Sequence, residues 1–314
     1  MENFHIPVIL SSDNNQVFAM AVVMTSAVET ADENTFYDFY CFLSNDVTPE
    51  NRERLQRLTE NTRKNCSVTL MDMSEYFKNA LQYNGAVGMI HSVTTPALYR
   101  LKAPSALPQC SKVLYLDTDT LVRADLRELF ETPMEDVYMA GVPVVWAQIK
   151  KSDRARWLRQ SGIPGMDYYV NSGVLLMNLD AMRNDEMEEK FLALVGKKEF
   201  APLDPADQLI LNYACYGKIG FVPCRYNVTM SNMKHAKRMT ALYSAKEVRE
   251  AFDNPSVIHW TGAGKPWEYY DVLLAHEWWR RYMRSPFKDV PLTRSAKPGL
   301  LGNGWRLLKK VVLK

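Results

Sequence analysis

An even set of cysteines is the first thing missing from this sequence. Its five cysteines, Cys41, Cys66, Cys110, Cys215 and Cys224, are odd in number and nowhere spaced as CxxC. That excludes a framework in which every cysteine pairs within the chain, and it fits a reduced compartment. An apolar run of the roughly 18 to 20 residues needed to span a bilayer is also missing. The opening MENFHIPVIL has neither a basic leader nor a long apolar stretch, so it reads as a first strand rather than a signal peptide. A large excess of one charge sign is missing too: the net charge is +2, which says little about partners, and nucleic acid is not among those expected. The expectation from these absences is a cytoplasmic protein.

What is present suffices for a substantial core. Hydrophobic residues make up 47% of the 314 and charged residues 24%, within the range of one large α/β domain with insertions. Apolar runs at His5 to Leu10, Tyr37 to Leu43, Ser67 to Met71 and Lys112 to Leu116 are separated by polar, helix-favouring stretches such as Thr48 to Thr62. Near-continuous apolar strands divided by helices predict a mostly parallel sheet covered on both faces, with ligands at the carboxyl ends of its strands. Further on, Tyr168 to Leu179 reads as a strand, Asp180 to about Gly196 as a charged helix, Pro205 to Tyr216 as a helix carrying Asp207 and Gln208 in its first turn, and Val257 to Trp260 as a strand. There is no internal repeat and no clear interdomain linker.

The stretch VLYLDTDTLV, residues 113 to 122, carries the leading chemical signal. Residues i and i+2 of an extended strand face the same way, so Asp117 and Asp119 can share one hard divalent cation while Thr118 points elsewhere. Carboxylate oxygens suit Mg²⁺ or Mn²⁺, ions commonly used with a phosphate-bearing substrate. The plainer reading is an Asp pair that caps the following turn and the helix Asp125 to Phe130. A second signal is VIHWTGAGKPW, residues 257 to 267. There His259 ends a strand as a candidate imidazole ligand, Gly262 and Gly264 permit close backbone approach, and Lys265 supplies a compact cation of the kind used against phosphate. Separately, a strand-end histidine and a Gly-Lys-Pro turn are more often structural. Together with the Asp pair they compose a clamp for a cation and a diphosphate, able to stabilise a leaving nucleoside diphosphate.

Seven motifs in order, SSDNN (11 to 15), TTPALYRL (94 to 101), YLDTDTLV, YYVNSGVLLMNL, ADQLILN (206 to 212), CRYN (224 to 227) and HWTGAGKPW, make the chain resemble family 8 of the retaining glycosyltransferases over roughly residues 5 to 285. The likeness is strongest to bacterial lipopolysaccharide and lipooligosaccharide galactosyl- and glucosyltransferases. It implies a GT-A-type nucleotide-sugar-binding fold and transfer of galactose or glucose from UDP-galactose or UDP-glucose to an oligosaccharide or lipid-linked saccharide acceptor. Asp13 and Asn15 would then contact uridine. Asp117, Asp119 and His259 would hold Mn²⁺, or Mg²⁺, against the diphosphate, with Gly262 and Lys265 on its oxygens. Arg100, Asn171, Asp207 and Gln208 would surround the donor sugar, Gln208 near the β-face of the anomeric carbon. An amide is a poor nucleophile, so the resemblance points to a front-face reaction in which the leaving phosphate helps deprotonate the acceptor. The chain departs from the family after GVP (141 to 143), where an aspartate is common and this sequence has Val144, Val145 and Trp146, with Gln148 and Asp153 as conceivable substitutes.

The domain expected is residues 1–285, followed by a basic segment, 286–314. From Ser295 to Lys314 there is no acidic residue, and Trp305, Leu307, Leu308, Val311 and Val312 are mixed with Lys297, Arg306, Lys309, Lys310 and Lys314. Such a segment can lie on an anionic membrane surface or stay solvated as a terminus. The sequence also admits two rival functions. DTDTLV also resembles the nucleophile motif of haloacid-dehalogenase-type phosphatases, but it starts after residue 110 and no GDxxxD-like pair follows. A non-catalytic UDP-sugar-binding protein is the other alternative.

Overall fold

The computed structural model describes residues 3–61, 65–75, 95–145, 169–195, 206–262 and 264–295. Trp146, Gln148, Asp153 and residues 296–314 lie outside the described residues. The strands are β1 (Phe4–Ser12), β2 (Thr35–Leu43), β3 (Cys66–Asp72), β4 (Lys112–Leu116), β5 (Thr120–Val122), β6 (Met139–Pro143), β7 (Val170–Asn178), β8 (Ile219–Phe221), β9 (Val228–Thr229) and β10 (Val257–His259). Seven of them form one sheet in the order β3-β2-β1-β4-β7-β6-β8, and β5-β10-β9 form a small second sheet.

Alternation along the strands divides the core between the two faces of the large sheet. Val8 and Leu10 of β1 join one apolar cluster, while Ile9, Val113 and Tyr115 join the other, as the period-2 side-chain rule requires. Against the first face lies the helix Val17–Glu29, in which Ala19 to Ala27 are all buried. Its sequence is apolar all round, which suits a helix covered on both sides, and the helix Ala275–Tyr282 supplies Trp278 and Tyr282 to the same cluster. Against the second face lie the helices Met187–Leu194 and Ala206–Ala214. All five cysteines are buried. Burial pushes the Cys41 thiol up to about 12, so it is protonated at neutral pH.

Strands β3, β2, β1 and β4 run parallel. The stretch expected at Tyr168 to Leu179 runs as β7, antiparallel to both β4 and β6. The expected single helix from Asp180 is two, Leu179–Asn184 and Met187–Leu194. The break falls at Glu186, whose φ of +53° a continuing helix cannot accommodate. The stretch Thr48 to Thr62 likewise divides into Pro49–Gln56, capped by the Thr48 hydroxyl accepting from Asn51 N at 3.2 Å, and Leu58–Asn61.

The order β3-β2-β1 followed by β4 places a topological switch between β1 and β4, and ligand crevices form outside the carboxyl ends of strands at such points. The pairing Ile9↔Tyr115 sets the end of β1 beside the end of β4. In the small sheet, His259 of β10 stands opposite Thr120 of β5. Topology thus carries residues from the first strand, the Asp pair and the far C-terminal motif to one crevice.

Candidate active site

A cavity of about 490 Å³ opens there, lined by Asp13, Arg100, Asp117, Asp119, Val144, Asn171, Asp207, Gln208, His259, Gly262 and Lys265 among others. Asn15 is not on its wall. Its side chain is exposed, and its backbone N–H donates to Asp13 Oδ1 at 3.0 Å. Asp13 Oδ1 also accepts from Gln16 N at 3.1 Å, so this carboxylate organises the turn that starts the helix Val17–Glu29.

The two aspartates come together for a different reason from the one the strand pattern suggests. β4 ends at Leu116, and Asp117 to Asp119 form a turn into β5. The Asp117 N–H donates to Gly173 O at 2.8 Å, and Trp260 N donates to Asp119 O at 3.0 Å. The turn is therefore pinned between β7 and β10. Thr118 lines the same cavity and donates to Gln16 Oε1 at 3.1 Å.

His259 Nε2 lies 3.0 Å from Asp119 Oδ1 and 3.8 Å from Asp117 Oδ2. Single ligand atoms from Asp117, Asp119 and His259 all fall within 4.8 Å of one another. Two carboxylates and one imidazole are a donor set suited to a hard or borderline divalent cation. The packing around them is built for close approach: a Cβ on Gly173 would collide with the His259 ring and with Asp117 Oδ2. These residues fit a divalent cation. The Lys265 ammonium contacts the Asp119 carboxylate and donates to Trp260 O at 2.7 Å. Burial alone would raise the Asp119 carboxyl, but His259 and Lys265 beside it hold it well below the usual carboxylate range. Gly262, at φ +71°, takes a backbone conformation that favours glycine.

A second set of side chains gathers around the start of β7. Arg100 donates to Asp117 Oδ1 at 2.7 Å, Ser172 O at 2.7 Å and Ala97 O at 2.8 Å, and it lies 3.5 Å from Asp207 Oδ2. Its guanidinium stacks 3.9 Å over the Tyr115 ring. Burial works against the Arg100 charge, but Asp117, Tyr115 and Asp207 outweigh it and hold the cation firmly protonated. Burial pushes the Asp207 carboxyl above its ordinary range despite Arg100 beside it. Gln208 Oε1 accepts from Ser172 N at 3.1 Å and from Asn171 Nδ2 at 3.0 Å.

Two residues that sequence reasoning passed over complete the site. Gly173 sits inside the quoted YYVNSGVLLMNL motif, and Asn227 closes CRYN. Asn227 is fully buried and bridges His259 Nδ1 at 2.9 Å to Asn171 Oδ1 at 2.7 Å.

The sequence profile of "Glycosyl transferase family 8" matches residues 7–271. The chain belongs to glycosyl transferase family 8. Its curated relatives include General stress protein A of Bacillus subtilis (strain 168), 22% identical over 86% of this chain and 94% of that protein. They also include a lipopolysaccharide 1,2-glucosyltransferase of Escherichia coli, 25% identical over 91% of this chain and 80% of that protein. Among solved structures, the galactosyltransferase LgtC in complex with donor and acceptor sugar analogues superposes with a TM-score of 0.70 at 22% identity, covering 89% of this chain and 96% of LgtC. The bifunctional glycosyltransferase WbbM superposes at 0.74 with 23% identity, over 91% of this chain and half of WbbM. The fold is thus the GT-A type of these enzymes, and membership of a glycosyltransferase family takes the place of the phosphatase alternative.

Proposed function

We propose that this glycosyltransferase moves galactose or glucose from UDP-galactose or UDP-glucose to a saccharide acceptor of the lipopolysaccharide or lipooligosaccharide core, with retention at the anomeric carbon. The observation that carries the reading is one cavity whose lining gathers the Asp117–Asp119–His259 group, Lys265 and the Arg100–Asn171–Asp207–Gln208 set. Asp117, Asp119 and His259 would hold Mn²⁺ or Mg²⁺, which supplies positive charge to stabilise the departing UDP. Lys265 and the backbone at Gly262 bind diphosphate oxygens, and Asp13 meets the uridine side. Arg100, Asp207 and Asn171 orient the sugar. Gln208 Oε1 is occupied by two donors, so Gln208 acts as a fixed dipole near the anomeric carbon rather than as a nucleophile. The leaving phosphate then takes the acceptor proton on the same face. The test is UDP release with UDP-glucose, UDP-galactose, UDP-N-acetylglucosamine and UDP-N-acetylgalactosamine, each with Mn²⁺ and truncated lipopolysaccharide cores. Free phosphate in place of UDP, or no cation-dependent release with any donor, overturns the reading.

The domain is proposed to carry a peripheral membrane attachment on the inner face of the cytoplasmic membrane. Of the segment 286–314, Phe287 is buried and Ser295 N donates to Glu268 O at 2.9 Å, so the stretch up to Ser295 packs on the domain. The attachment concerns residues 296–314. Among the described residues no helix is long and apolar enough to cross a membrane. The five basic residues Lys297, Arg306, Lys309, Lys310 and Lys314 each contribute about 1 kcal/mol at most near an anionic leaflet, and the attraction fades as salt shortens the Debye length. Deleting 296–314 is expected to spare transfer to a soluble acceptor and to abolish salt-sensitive co-sedimentation with anionic vesicles. Equal sedimentation of both forms removes the segment from the mechanism.

A further inference from the structure

A run of side-chain amides joins His259 to Gln208, and two consecutive backbone groups of β7 settle which way each amide points. Ser172 N–H donates to Gln208 Oε1, and Gly173 N–H donates to Asn171 Oδ1 at 3.0 Å. A backbone N–H only donates, so both acceptors are oxygens. Asn171 therefore offers its Nδ2 to Gln208 Oε1 at 3.0 Å. The Asn227 atom 2.7 Å from Asn171 Oδ1 must be a donor, its Nδ2, which leaves Asn227 Oδ1 at 2.9 Å from His259 Nδ1. Nδ1 must then carry the hydrogen. With Nδ1 engaged by Asn227, Nε2 is the ring nitrogen that faces Asp119 Oδ1 and Asp117 Oδ2 and that can serve a cation there. Asn227 has 0% of its surface exposed, so both bonds are shielded from bulk water.

We infer that Asn227 is a positioning residue with two ends. One holds His259 in the Nδ1–H tautomer that offers Nε2 to a divalent cation, and the other holds Asn171 and, through it, Gln208. The inference rests on the cation-binding reading proposed above. In the opposite tautomer, Nε2–H would donate to Asp119 and the imidazole would cease to be a ligand. Metal-ligating histidines generally have the second nitrogen fixed in this way, most often by a carboxylate or a carbonyl. Here a side-chain amide does it, and the same amide donates to Asn171 Oδ1.

Two variants separate the ends. Asn227→Asp keeps an acceptor for His259 Nδ1–H but cannot donate to Asn171 Oδ1, whereas Asn227→Ala removes both bonds. Mn²⁺ affinity is read from the electron paramagnetic resonance signal of free Mn²⁺ during titration in the presence of UDP, and kcat and KM for the donor are read on the same preparations. Asn227→Ala is expected to weaken Mn²⁺ binding roughly 10- to 100-fold and to lower kcat. Asn227→Asp is expected to bind Mn²⁺ close to wild type while kcat falls with donor KM little changed. Should Asn227→Ala not fold, Asn227→Asp alone decides. Wild-type kcat in that variant, or Mn²⁺ affinity lost in it as well, overturns the two-ended role, as does wild-type affinity in a folded Asn227→Ala. Wild-type protein that binds no Mn²⁺ overturns the cation reading and this inference with it.

Discussion

Where Lys265 meets the aspartate pair, Asp117, Asp119 and Lys265 keep 26%, 15% and 18% of their side chains exposed, whereas Arg100, hydrogen-bonded to Asp117, and Asp207 beyond it keep 3% each. Water reaches the first group, so its charges can exchange one partner for another when a ligand arrives. The second group is dry, and each charge there is committed to protein partners already. A buried ion pair is a weak source of net stability but a costly thing to halve. The two ends should therefore respond differently to loss of a charge: the wet end through binding, the dry end through folding.

Arg100→Ala should show the largest effect. It strips a buried cation from Asp117, Asp207 and two carbonyls, and unfolding in urea should show a loss of about 3–5 kcal/mol. A loss below about 1 kcal/mol would mean that the dry wall is not held by charge.

Asp119→Asn comes next. It removes one charge from the cation ligands, and cation-dependent transfer should fall by more than ~100-fold, above the ~10–100-fold typical of changes one shell further out. The melting temperature should stay near wild type. Asp117 serves both ends, since Oδ1 accepts from Arg100 and Oδ2 faces His259, so Asp117→Asn should lose transfer and stability together. If Asp119→Asn unfolds as readily as Arg100→Ala, the contrast between the ends fails.

Lys265→Ala should cost about 1–3 kcal/mol in UDP affinity, the scale of a hydrogen bond to a charged group. Calorimetry with UDP and Mn²⁺ measures it, and unchanged affinity would take Lys265 off the diphosphate.

Strands and motifs were legible in the sequence where the information is local. β4 runs over Lys112–Leu116 as its apolar pattern says, and Asp207 and Gln208 stand in the first turn of their helix. What stayed hidden depends on partners far away in the chain. The antiparallel direction of β7 is set by pairing with β4 and β6, and nothing in YYVNSGVLLMNL encodes a direction. The two aspartates meet because a turn is pinned by Gly173 and Trp260, more than 50 residues downstream in each case, and not because of strand alternation. Asn227 sits 32 residues from His259 and 56 from Asn171. An asparagine in a loop motif looks like turn chemistry until those contacts are known. Asn15 follows Asp13 in the turn that the Asp13 carboxylate organises, with its side chain exposed, and its contact with uridine is part of the proposed function.

The smallest expected effect is a matter of sign, and it tests whether Asp207 is held for folding or against it. Burial raises its carboxyl above the ordinary value, Asp117 adds to that, and Arg100 and the Ser172 hydroxyl only partly offset it. A carboxyl whose folded-state pKa lies above the unfolded value of about 3.9 binds its proton more tightly when folded. Its stabilising contribution is complete below the unfolded pKa and is lost as pH rises through the folded pKa. Ionising Asp207 as pH rises therefore costs stability. Asp207→Asn removes that titration while Arg100 retains Asp117. Urea midpoints of the two proteins, compared from pH 4 to pH 8, should show the variant gaining on wild type as pH rises and then levelling off. A gap that stays flat, or that favours wild type increasingly with pH, would mean that Arg100 outweighs burial at Asp207, and that the dry end stabilises the fold through its charges as well as holding them in place.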